Sequence, residues 1–179
     1  VYDLGNFELH HDINWGPEGT ILVLATDTEG ETVEDQVLQV NLESGEVSHI
    51  VDFTQVLESY FDTTRPVTAT DPFFWSEGEW DWLHLNSLQY VEEDNAIIVS
   101  SRETSTIIKA TLGEEPEIVW MAGNPEFWEG TEFEDCSLEQ EGDFLFQYGQ
   151  HDVELMGAEE AALLGFDPLS EGQYYLRIY

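Results

Sequence analysis

The sequence predicts an all-β fold made by repeating a four-stranded unit. Three observations carry this expectation. Apolar and β-branched runs of about 4 to 8 residues recur from end to end. Turn-forming groups separate them. Three histidines, His11, His84 and His151, stand beside such runs at comparable places, 73 and 67 residues apart.

The strands follow in order. A first set is expected over residues 21–26, 36–42 and 47–53, with Glu43-Ser44-Gly45 turning the chain between the last two. Residues 54–62 favour a short helix. A second set is expected over residues 83–91, 96–102, 106–112 and 117–121, and Glu93-Asp94-Asn95 marks its first turn. A final pair, 143–148 and 174–179, brackets an Ala-, Glu- and Leu-containing stretch at 157–164 that favours a helix. Both helical stretches read as insertions between strands.

The repeat groups these runs into units over roughly residues 1–53, 81–122 and 143–179, with insertions at 54–80 and 157–173, inside one domain spanning 1–179. Short strands at even spacing occur in sandwiches, barrels and propellers. The His spacings exceed the about 40 to 50 residues of compact propeller repeats. The insertion at 54–80 accounts for much of the excess in the first interval. In a propeller the first strand of each blade lines the central channel, so three histidines at matching positions converge on one axis. Three units alone leave long sheet edges unpaired. The chain is therefore expected to be a partial propeller, from a protein with about twice as many blades.

Composition narrows the classes of partner. There are 39 Asp and Glu against 4 Lys and Arg, a formal net charge of −35, and such a field repels nucleic acid. The acids are spread along the chain, which reads as an acidic folded surface. An acid-rich surface with Lys109 as its one lysine suits high salt, where screening removes self-repulsion, so a halophilic source is an expectation. With 41% apolar and 13% aromatic residues there is material for a core. No apolar run approaches the about 20 residues that span a bilayer, and no basic-then-apolar leader opens the chain. The sequence opens on Val1 in structured-looking residues, so the natural N-terminus is expected upstream. Cys136 is the single cysteine, which leaves no internal disulfide.

The residues that could do chemistry are few and gathered. His10 and His11 stand in His-His-Asp-Ile-Asn-Trp (10–15), and His84 and Asn86 in Asp-Trp-Leu-His-Leu-Asn-Ser (81–87), where strand alternation puts His84 and Asn86 on one face. Arg102 closes Ile-Ile-Val-Ser-Ser-Arg-Glu (97–103), and His151 lies in Tyr-Gly-Gln-His-Asp-Val-Glu (148–154). Of five histidines only His49 falls outside these motifs. In a chain so poor in positive groups, this gathering points to an anion site. His, Asn and Arg together donate to several oxygens of one tetrahedral anion, and a sulfate ester offers three.

In this order, over residues 10–151, the motifs resemble those of bacterial and archaeal aryl-sulfate sulfotransferases. The resemblance implies a six-bladed β-propeller, of which this chain would cover roughly three to four blades. It also implies a cofactor-free ping-pong transfer of a sulfuryl group from an aryl sulfate donor to a phenolic acceptor. His151 resembles the nucleophile that becomes a sulfohistidine, and a neutral imidazole has the lone pair this needs. His84 and Arg102, with Asn86, correspond to the groups that hold the sulfuryl oxygens and stabilise developing charge. One of the histidines would move the phenolic proton. His11 is favoured over His10 for facing the site, but the sequence leaves that pair open. Small-molecule partners, a possible homodimer and export to the periplasm or outside the cell are further implications. Cys136 departs from family examples that carry a short-range disulfide before the nucleophile.

Two other classes compete. Three converging histidines could ligate zinc or iron in a hydrolase, although Arg102 beside a metal would weaken its binding, so no metal is expected. A propeller can also bind ligands without catalysis. Taken singly, His84 reads as a hydrogen-bonded core residue and Arg102 as a surface ion pair. Their joint order and repeat phase favour the transfer site.

Overall fold

The computed structural model describes residues 3–64, 75–76, 79–170 and 173–179. The inner parts of the expected insertions, 65–74 with 77–78 and 171–172, lie outside the described residues. The described chain is dominated by antiparallel β-sheet with a few short helices.

The first sheet is a meander of β1 (Phe7–Trp15), β2 (Thr20–Asp27), β3 (Gln36–Asn41) and β4 (Val47–Asp52), in that spatial order. Its last turn forms because the Asn41 side-chain oxygen accepts from the backbone N–H groups of Glu43 and Ser44, both at 2.9 Å, and Gly45 takes a φ of 78° that a Cβ would penalise. Asp52 then caps α1 (Phe53–Val56) by accepting from Thr54 N–H at 2.9 Å, and α2 (Glu58–Thr64) follows, as the helical expectation over 54–62 requires.

A two-stranded ribbon, β5 (Trp75–Ser76) with β6 (Glu79–Trp80), leads to the second sheet. This is a second meander: β7 (Leu85–Val91), β8 (Ala96–Ser101), β9 (Thr106–Thr111) and β10 (Ile118–Ala122). Asn95 makes the turn between β7 and β8 at φ 44°, a left-handed conformation that asparagine tolerates. After a long stretch without strands, β11 (Val153–Leu155) pairs with β12 (Leu176–Ile178), with α3 (Ala158–Leu163) between them.

Alternation explains how the layers stack. Leu22, Leu24, Val37 and Val51 of the first sheet pack against Leu85, Leu88, Ile97 and Val99 of the second, with Phe53, Trp80 and Trp82 completing this core. The opposite face of the second sheet presents Val91, Ile98 and Ile107 to Val153 of β11. The second sheet is thus covered on both faces, which is why all six residues of β8 are buried and its first four are apolar. Each large apolar side chain buried this way contributes about 1.5–3 kcal/mol relative to exposure.

Three expectations need correction. Strand β1 was not expected, because a bulge between His10 and Ile13 breaks its period-2 pattern and Leu9, Ile13 and Trp15 face solvent. The run at 143–148 forms no strand: Phe144, Leu145 and Tyr148 are exposed, and no neighbouring ladder pairs with the segment. Finally, β7 begins at Leu85, because His84 has φ 50° and Asn86 falls in a bulge between Leu85 and Ser87. His84 and Asn86 therefore do not share a face through regular alternation.

Candidate functional site

The first strands of the two sheets lie side by side; His11 sits in the bulge of β1, and His84 stands just ahead of β7, whose bulge falls at Asn86. Both histidines have a left-handed φ, 48° and 50°, and their rings meet. Their ring centroids are 5.1 Å apart. His10 adjoins His11 at 5.0 Å, with the two Nδ1 atoms at 2.9 Å, so one ring donates to the other. His151, just ahead of β11, lies 6.2 Å from the His84 ring. Four of the five histidines form one continuous line.

His151 is exposed, and its Nδ1 lies 3.1 Å from the carbonyl oxygen of Gly149. A carbonyl only accepts, so Nδ1 carries the proton and Nε2 the lone pair. The segment that presents His151 is anchored through its neighbours. Buried Gln150 donates to Ser101 O at 2.9 Å and Ser100 Oγ at 3.1 Å, and its own carbonyl accepts from Asn86 Nδ2 at 2.7 Å. Gly149 N–H donates to Ser105 Oγ at 3.0 Å. Asn86 thus ties the second sheet to the segment that presents His151. A cleft of about 350 Å³ is lined by His11, Asn86 and His151, with Asp12, Asp152 and Glu154 on its acidic side.

His84 is almost buried and sits between two carboxylates, with Nδ1 at 2.5 Å from Asp81 Oδ2 and 2.7 Å from Glu34 Oε2. Burial opposes its charge, but the hydrogen bonds to Asp81 and Glu34 outweigh that and push its pKa up to about 9. His10 and His11 go the other way: burial lowers both, and for His11 the charges of His84, His151 and Arg102 add to it against the pull of Glu34. For Glu34 too, burial raises the pKa, but the bond from His84 wins and holds it below the usual carboxylate range.

Arg102 follows β8, and its backbone N–H donates to His84 O at 3.1 Å. Its guanidinium forks onto Glu103 Oε1, with Nε at 2.7 Å, and reaches Asp81 Oδ2 from Nη2 at 3.4 Å. Among the described residues, two sets bring possible metal ligands within 4.8 Å of one another: His10, His11 and Glu34, and Glu34, Asp81 and His84. In the second, His84 Nδ1 lies 2.5 Å from Asp81, a hydrogen bond, and 2.7 Å from Glu34, an ion-pair contact. Ligands at about 2.0–2.2 Å on one tetrahedral zinc stand about 3.2 Å or more apart, so that set fits an ion pair better than a metal.

The structure therefore brings together His10, His11, His84 and His151, places Arg102 beside Asp81, and sets Asn86 between the second sheet and Gln150. Three participants were not singled out from sequence. Asp81 and Gln150 stood inside quoted motifs, three residues before His84 and one before His151. Glu34 had no signal among 39 acidic residues. No curated protein matches the chain. A family model described as Arylsulfotransferase (ASST) matches residues 1–170, and with the ordered motifs folded into one cluster, the chain belongs to the arylsulfotransferase family.

Proposed function

We propose that the histidine cluster is the transfer site of a β-propeller aryl-sulfate sulfotransferase, with His151 as the sulfuryl carrier. The observation that carries this reading is the single line of rings from His10 to His151, contributed by three sheet units, with Arg102 alongside. Two four-stranded meanders with adjacent first strands are compatible with blades, and six blades is the number expected from the family resemblance.

In the first half-reaction the Nε2 lone pair of His151 attacks the ester sulfur. An N–S bond forms, the S–O bond to the aryl group breaks, and the phenolate leaves with the bonding pair. Protonated His84 and Arg102 donate to the sulfuryl oxygens as charge builds up, with Arg102 exchanging Glu103 for them. The leaving phenolate takes a proton from an acid in the cluster. In the second half-reaction neutral His11 accepts the proton of the incoming phenol, whose oxygen attacks sulfur and frees His151. Asn86 holds the carrier segment in place.

The test is an assay with 4-nitrophenyl sulfate and a phenol acceptor. Acceptor-dependent release of 4-nitrophenolate, a sulfated His151 peptide by mass spectrometry, and loss of both in His151→Ala are the expected results. Undiminished turnover in the variant would refute the carrier role.

A further inference from the structure

We infer that Glu34 is a positioning residue whose carboxylate crosses from the β2–β3 loop to the second sheet, holds the His84 ring against Asp81 and couples it to His11. The inference rests on the sulfuryl-transfer reading of this cluster and adds a residue to it.

The backbone is the first argument. Glu34 has φ 58°, a left-handed conformation that is strained for a residue with a Cβ. Glutamate lacks the short side-chain bond that lets asparagine tolerate it. Such strain persists where surroundings over-determine it. They do so here: Glu34 N–H donates to Thr26 Oγ1 at 2.9 Å, Glu34 O accepts from Leu85 N–H at 2.8 Å, and neighbouring Val33 N–H donates to Trp80 O at 3.1 Å. The loop is thereby fastened to the chain on both sides of His84. His11 at φ 48° and His84 at φ 50° share this conformation. Of the five non-glycine residues with positive φ among the described residues, three, His11, Glu34 and His84, meet here.

The contacts are the second argument. Glu34 Oε2 is 2.7 Å from His84 Nδ1, and Oε1 is 3.9 Å from His11 Nδ1. The charged and titratable groups facing His84 are Asp81 from its own segment, Glu34 from the β2–β3 loop, His10 and His11 from β1, Arg102 after β8, and His151 ahead of β11. Only the two carboxylates stabilise an imidazolium, and both engage Nδ1. The donor left for a sulfuryl oxygen is Nε2–H. Glu34 thus joins Asp81 in holding His84 charged as an anion holder while lying within reach of His11, the neutral proton acceptor.

The experiment compares wild type with Glu34→Gln, which keeps the shape and removes the charge. Imidazole ¹⁵N NMR would follow the titration of His84, and the pH profile of 4-nitrophenyl sulfate turnover would be measured beside it. The expected results are a His84 midpoint that moves down in the variant, and a kcat that falls about tenfold or more with a smaller change in KM. The loss should grow as pH rises, and Glu34→Asp should restore part of it. An unmoved His84 titration and pH profile in Glu34→Gln overturn the inference. If wild type transfers no sulfuryl group from aryl sulfates, the transfer reading fails, while the NMR comparison still decides whether Glu34 charges and holds His84.

Discussion

His11 and His84 occupy comparable places in the two sheets, one in the bulge of β1 and the other just ahead of β7, each with a φ near 50°. Their surroundings differ. The first sheet packs on the second with one face and buries Val23, Leu38 and Val40 on the other, but its first strand, β1, leaves Ile13 and Trp15 exposed at 58% and 73%. The second sheet is covered on both faces, so His84 is pressed among neighbours. Those neighbours include Asp81 and Glu34, and His84 is held protonated, while burial without so close a carboxylate leaves His11 neutral. The same residue at the same place in a repeat thus has two proton states, and the difference comes from what the adjoining layers contribute. The transfer site proposed above needs both a charged anion holder and a neutral base, and on that reading the two sheets each supply one.

The comparison breaks most visibly in the kinetics. Replacing His84 by Gln should lower sulfuryl turnover by about 10²–10³-fold, as for loss of a donor to developing charge. His11→Gln should cost about 10²-fold and remove a basic limb from the pH profile instead. Equal losses with identical profiles would show that the two rings do not divide the work.

Stability separates the two sheets next. Leu88→Ala, in the fully covered second sheet, should cost about 2–5 kcal/mol in urea unfolding, and Ile13→Ala on the exposed face about 0.5 kcal/mol or less. A similar cost at both positions would mean that the exposed side of β1 is covered in solution. Between these lies Asp12→Ala. Its Oδ2 accepts from Leu88 N–H at 2.8 Å and ties β1 to β7, so its loss strands a backbone donor at about 1–2 kcal/mol.

The smallest effect is in the pH dependence of stability. The folded pKa of His84 is raised above its ordinary value near 6.5, so its contribution is fully present below that pH and lost as pH rises through about 9. In His84→Gln the decline in thermal midpoint between pH 6.5 and 9 should flatten. An unchanged slope would place the proton elsewhere in the cluster.

The legible parts of the fold share a cause. β2, β3, β8 and β9 are short apolar runs because their sheets bury both faces or nearly so, and β3–β4 and β7–β8 turn at residues that suit tight turns. β1 was hidden because polar His10, Asp12 and Asn14 lie on its half-buried side while Leu9, Ile13 and Trp15 are exposed, and its bulge shifts the alternation midway. The run at 143–148 misled for the opposite reason: strand-forming residues without a neighbouring ladder have nowhere to place their backbone hydrogen bonds. In the site, His11, His84, Arg102 and His151 were legible as rare residue types in ordered motifs. Glu34 was not, since acids are everywhere in this chain.

By itself the sequence determined the all-β character, the identity of the imidazole and guanidinium groups, their order along the chain and the family they point to. These are local properties: side-chain chemistry and period-2 patterning are written residue by residue. Tertiary structure alone decided which carboxylates meet which rings. Glu34 lies 50 residues from His84 in sequence yet 2.7 Å away in space, and proton affinity depends on that spatial distance.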